Sequence, residues 1–84
     1  MMPNDIEHSI LEFLKQEAKQ GHLESTAREI ANGADLVYNQ VGRALERLIM
    51  RDEVRYRERG TKRKSVRYYY LKDILDSVKE SGKI

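Results

Sequence analysis

Ile6, Ile10, Phe13, Leu14 and Ala18 recur at helical spacing, with Glu, Lys and Gln between them. Asn4 or Asp5 can cap the start of this first helix, over about residues 5–20, and Gly21 supplies a stop. His22 to Glu24 can add a short extended segment. Thr26-Ala27-Arg28-Glu29 then has the form of a capping box, in which the hydroxyl and the carboxylate three residues on satisfy each other's free amides. It opens a second helix over about 27–33 that buries Ala27, Ile30 and Ala31. Asn32-Gly33 and Asp35 tolerate positive φ, so the chain turns there. Val37, Val41, Ala44, Leu45, Leu48 and Ile49 form the next apolar stripe, a helix over about 37–51. Val54 and Tyr56 alternate with Arg55, Arg57 and Arg59, which is strand periodicity. Gly60 to Ser65 is a polar loop, and Val66 to Leu71 is rich in the residues that favour a returning strand. Asp73 caps a last helix over about 73–81, with Ile74, Leu75 and Val78 on one side.

The pattern predicts a single α+β domain over residues 1–84: a three-helix core, a two- or three-stranded antiparallel hairpin over 53–71, and a short C-terminal helix. At 84 residues the core is small. With 39% apolar and 36% charged residues, the surface is heavily solvated. A partner subunit would make the fold more robust.

Charge changes the picture more than composition does. The net charge of +2 hides a balance of −3 over residues 1–50 and +5 over residues 51–67. The excess lies in Arg51, Arg55, Arg57, Arg59, Lys62, Arg63, Lys64 and Arg67, the footprint expected for a polyanion. Charged edge strands also discourage sheet-to-sheet association, but Glu would serve that purpose equally.

Other chemistry is thinly represented. No cysteine is present, which excludes disulfides, thiolate metal sites and cysteine nucleophiles. His8 and His22 lack ligand spacing, so no metal and no cofactor is expected. There is no Gly-rich phosphate loop, no paired-carboxylate motif and no nucleophile with a convincing histidine partner, which argues against an enzyme. The longest aliphatic run, Leu48-Ile49-Met50, is far too short for a bilayer. The N-terminus does not read as a signal peptide, so a cytoplasmic protein is expected.

Thr26 to Ala31 resembles the first helix of the winged helix-turn-helix regulators of the MarR and ArsR kind. Gln40-Val41-Gly42-Arg43-Ala44-Leu45-Glu46-Arg47-Leu48 is similar to the Thr-Val-Ser-Arg-x-Leu-x-x-Leu of their recognition helix, at the same interval from Thr26. Arg51-Asp52-Glu53-Val54 stands where such families often have Lys-x-Gly-x-Val. The similarity covers about half the chain, and in length and layout it also resembles compact PapI/FaeA-like fimbrial regulators. Gly33 departs from the pattern, as do Asp35 in place of the turn glycine and Val37 in place of a capping Ser or Thr. The third helix therefore starts at Val37 or from Asp35. Winged helices that bind left-handed DNA fit poorly, because Gly42 and Glu46 replace their Asn and Tyr and the wing has neither Pro nor Trp.

The resemblance implies sequence-specific binding of double-stranded DNA, with the 37–51 helix in the major groove, as in a small transcriptional regulator. With Val41, Leu45 and Leu48 inward, Asn39, Gln40, Arg43 and Arg47 turn outward. Arg can pair with guanine, and Asn or Gln with adenine. Tyr38 suits a phosphate or sugar, and Thr26 and Arg28 lie on the supporting helix. Gly42 lets the backbone approach closely. Arg57, Arg59, Lys62, Arg63, Lys64 and Arg67 suit phosphates or a narrow minor groove. Neutralising about five or six phosphates would give a log–log salt slope of roughly −5. Of the run Tyr68-Tyr69-Tyr70, at least one ring must leave the inner face. Ile6, Ile10, Ile74, Leu75 and Val78 offer a homodimer seam. The rival reading is a winged helix used for protein contact, which fold alone does not exclude.

Overall fold

The computed structural model describes residues 4–72. Three helices, α1 (Asn4–Lys19), α2 (Ala27–Gly33) and α3 (Tyr38–Met50), precede an antiparallel hairpin of β1 (Val54–Gly60) and β2 (Ser65–Leu71). The expected last helix, with Ile74, Leu75 and Val78, lies outside the described residues. Among those described, no helix is long and apolar enough to cross a membrane.

Local chemistry explains where the helices begin and end. At α2 the Thr26 hydroxyl accepts from the Glu29 amide at 3.1 Å, and the Glu29 carboxylate accepts from the Thr26 amide at 2.8 Å. The expected capping box is therefore closed on both sides. α3 starts from Val37, which gives no side-chain cap. Each helix stops at a residue of positive φ: Gly21 at 92°, Asp35 at 56° and Asp52 at 61°. The next residue then returns its amide to the last turn, His22 to Glu17 O, Leu36 to Ala31 O and Glu53 to Leu48 O, at 2.8–3.0 Å. These closures satisfy carbonyls that a helix end leaves bare. Aspartate does at two sites what glycine does at the first, since its short polar side chain tolerates the left-handed region.

The core joins Ile10 and Leu14 of α1, Ile30 and Ala31 of α2, Val41, Ala44, Leu45 and Leu48 of α3, and Val54, Tyr69 and Leu71 of the hairpin. The inward stripe of α3 is the predicted one at Val41, Ala44, Leu45 and Leu48, with Ile49 partly buried, but Val37, expected in that stripe, stands before the helix and is exposed. Ile10, named for the expected dimer seam, lies within this core. It is wholly enclosed by its own chain, because the α1 stripe is used against the core, and so it presents no surface to a second copy. Ile6 is partly buried and packs on the same cluster. Gly33 lies under the Phe13 ring, where a Cβ would fall 2.0 Å from Cε1. A side chain at this position would require the half-buried Phe13 ring to move.

The hairpin pairs Val54 with Leu71 through to Gly60 with Ser65. On the other edge of β2, Ser25 exchanges two backbone hydrogen bonds with Tyr69, at 2.9 and 2.7 Å. The extended segment expected at His22–Glu24 thus makes its one bridge a residue later, and it ties the entry to α2 onto the hairpin. Strand alternation sends Val54, Tyr56, Tyr69 and Leu71 to the inner face and Arg55, Arg57, Arg59, Tyr68 and Tyr70 to the outer. Of the three tyrosines, Tyr69 is buried and its neighbours are half-buried on the opposite face.

Candidate functional site

α3 presents Tyr38, Asn39, Gln40 and Arg43 to solvent. Val37, just before the helix, is 60% exposed and Tyr38 is 55% exposed. Arg28 of α2 is exposed beside them, at a shallow cleft lined by Ala31, Asn32, Leu36 and Tyr38. Thr26 stands at the head of α2, with its oxygen committed to the cap. The turn of the hairpin is closed by Thr61 and Lys64, whose amides each donate to the other's carbonyl at 3.1 and 3.2 Å. Gly60 makes that closure possible at φ 127°, where a Cβ would meet the Lys64 carbonyl oxygen at 2.2 Å. Lys62, Arg63 and Lys64 all stand exposed at this tip.

Four other expected contact residues are engaged within the protein. Arg47 donates from Nε to Glu7 Oε2 at 2.8 Å, and Arg51 donates from Nη2 to Glu7 Oε1. The Glu7 side chain is only 4% exposed. Its hydrogen bond from Arg47, reinforced by Arg51, holds its carboxyl below the usual glutamate range against the opposing effect of burial. On the outer sheet face Arg57 donates to Glu24 Oε2, and Arg59 reaches Glu24 Oε1 at 3.2 Å. Arg57 likewise depresses the Glu24 pKa, again against burial.

Arg67, on the inner face, extends toward α3, with Nη1 3.5 Å from Glu46 Oε1 and Nε 3.9 Å from Glu58. Its guanidinium also lies 4.4 Å from the centroid of the Tyr56 ring. At the root of the hairpin Asp52 accepts from Arg55 at 3.2 Å and from Lys72 at 2.6 Å. Those two bonds, Lys72 first, lower the Asp52 pKa.

The cations therefore fall into two groups. Among the described residues, Arg28, Arg43, Lys62, Arg63 and Lys64 meet no carboxylate, and neither do Lys15 and Lys19 of α1. The first five occupy the outer parts of α2 and α3 and the hairpin tip. The carboxylates that divide the groups, Glu7, Glu24 and Glu46, carried no role in the sequence reading. Glu7 had one visible signal: as the neighbour of Ile6 and four residues before Leu11, it lies at the border of the α1 stripe, where a carboxylate becomes half-enclosed.

No family model matches the chain, and neither a curated protein nor a solved structure matches it.

Proposed function

We propose that the chain is a winged helix-turn-helix that binds double-stranded DNA sequence-specifically, as a small transcriptional regulator. α3 enters the major groove, and the hairpin tip rests on phosphates or in the minor groove. The observation that carries this reading is the separation of the cations. Arg28, Arg43 and the Lys62-Arg63-Lys64 tip keep their charge unopposed, where this docking geometry requires positive charge. Asn39, Gln40 and Arg43 supply the donors and acceptors that read base edges. No catalytic role and no cofactor enter the proposal.

The experiment is fluorescence anisotropy on a mixed-sequence duplex of about 30 base pairs over a salt series, which reads phosphate engagement from the slope. Binding that weakens steeply with salt supports the proposal, as does weaker sequence selection by Arg43→Ala. No binding at low salt overturns it.

One observation favours a second reading, docking of another protein. The outer sheet face holds a hollow of about 360 Å³ lined by Tyr68, Tyr70, Leu23 and the Glu24–Arg57 pair. Such a mixed aromatic and charge-balanced surface suits a polypeptide, and its binding would show little salt dependence.

A further inference from the structure

Among the described residues, two glycines lie inside helices, and only one of them meets a neighbouring side chain. At Gly33 the Phe13 ring leaves no room for a Cβ. At Gly42, in the middle of α3, a Cβ would meet nothing within 4 Å. Glycine is among the weakest helix formers, so α3 is weakened here with no return to the fold.

The surroundings of Gly42 show what the missing side chain leaves behind. Its neighbours one turn away are Tyr38 and Asn39 on one side and Leu45 and Glu46 on the other. Leu45 is buried, while Tyr38, Asn39 and Glu46 are exposed, as is Arg43 beside them. The missing side chain leaves open space on the flank of α3, where Gly42 is half-buried, with a bare Cα as its floor. The backbone polar groups at the floor are engaged in the helix ladder. The floor is therefore apolar and cannot read a donor or an acceptor.

We infer that Gly42 seats the 5-methyl group of a thymine. Of the groups that base pairs present in the major groove, that methyl is the apolar one. The inference rests on the DNA-binding reading and adds a base preference to it: a thymine at one fixed position, with Asn39 and Arg43 reading the base pairs on either side.

The test begins by selecting preferred duplexes from a randomised library with the wild-type protein. Each thymine of the winning site is then replaced by uracil, which removes the methyl alone. At one position the swap weakens wild-type binding about fourfold, the worth of one buried methyl. Gly42→Ala binds the thymine duplex about tenfold more weakly, on the scale of one displaced base contact. It recovers on the duplex carrying uracil at that position. Its thermal midpoint rises by about 4–8 °C as helix propensity improves, which separates lost binding from lost folding.

Uracil swaps that are all silent, or a Gly42→Ala variant that binds every duplex as the wild type does, overturn the inference while leaving DNA binding intact. A wild-type protein that selects no duplex overturns the DNA reading, and this inference with it.

Discussion

Between Val54 and Arg59 the hairpin carries three arginines, and each meets a carboxylate: Arg55 meets Asp52, while Arg57 and Arg59 share Glu24. Between Thr61 and Ser65 it carries three cations, and among the described residues none meets one. The same residue types, a few positions apart on one ribbon, are in different electrostatic states. A guanidinium held by a carboxylate must give up that partner before it grips a phosphate, whereas one held only by water releases nothing comparable. Charge present and charge available are therefore different quantities here. The excess of +5 over residues 51–67 measures the first.

The largest effect expected from this contrast is at the tip. Replacing Lys62, Arg63 and Lys64 together by alanine lowers the salt slope of duplex binding by about three units. Folding stability should stay within about 0.5 kcal/mol, as for exposed sites without partners. Anisotropy titrations and urea denaturation check the two halves of this prediction. An unchanged slope would erase the distinction between tip and strands.

The next effect concerns Glu7, which binds α1 to the end of α3. Glu7→Gln removes charge-assisted hydrogen bonds from a buried position and costs about 2 kcal/mol in urea denaturation. Because the folded pKa of Glu7 is depressed, its contribution is complete above the ordinary value of 4.5 and drains as pH falls through the lower folded value. The wild type therefore loses thermal stability below that pH, and Glu7→Gln loses less over the same window. Parallel acid limbs for the two proteins would contradict the assignment.

The smallest effect sharpens the comparison most. Arg57→Ala with Arg59→Ala removes two formal charges yet shifts the salt slope by less than about one unit, because both guanidinium groups are already engaged by Glu24, which leaves the trio a net charge of one. The cost in stability is small, as for exposed ion pairs. A slope change near two would show that these arginines are as available as the tip.

Much of the local structure was legible along the chain because it depends on neighbours in sequence. The Thr26–Glu29 capping box, the turn at Asp35 and the alternation that puts Arg55, Arg57 and Arg59 on one face all follow from residues within a few positions of each other. What opposes those arginines did not follow. Arg47 finds Glu7 across 40 residues and Arg57 finds Glu24 across 33, and such pairings exist only once the elements are packed. Arg47 and Arg43 sit four residues apart on a helix and look alike in the sequence, yet one is taken up by α1 and the other is left to solvent. Gly33 and Gly42 diverge for the same reason. One is the footprint of a ring from another helix, and the other has nothing above it.

The bridge between Ser25 and Tyr69 makes the hairpin a cantilever. Its clamp is a pair of backbone hydrogen bonds at Tyr69, and its free end, near Arg63, extends about 15–20 Å beyond at the rise of an extended strand. A two-stranded ribbon of that reach is a compliant beam on its own. Here it is guyed from both sides, by Arg59 to Glu24 on the outer face and by Arg67 to Glu46 on the inner. These exposed pairs are side-chain ties from the ribbon to the rest of the fold, and each holds it only weakly. Salt screens ties and tip alike. On a duplex, raising the ionic strength would slacken the mounting while weakening the grip, and the measured slope would exceed the number of phosphates touched.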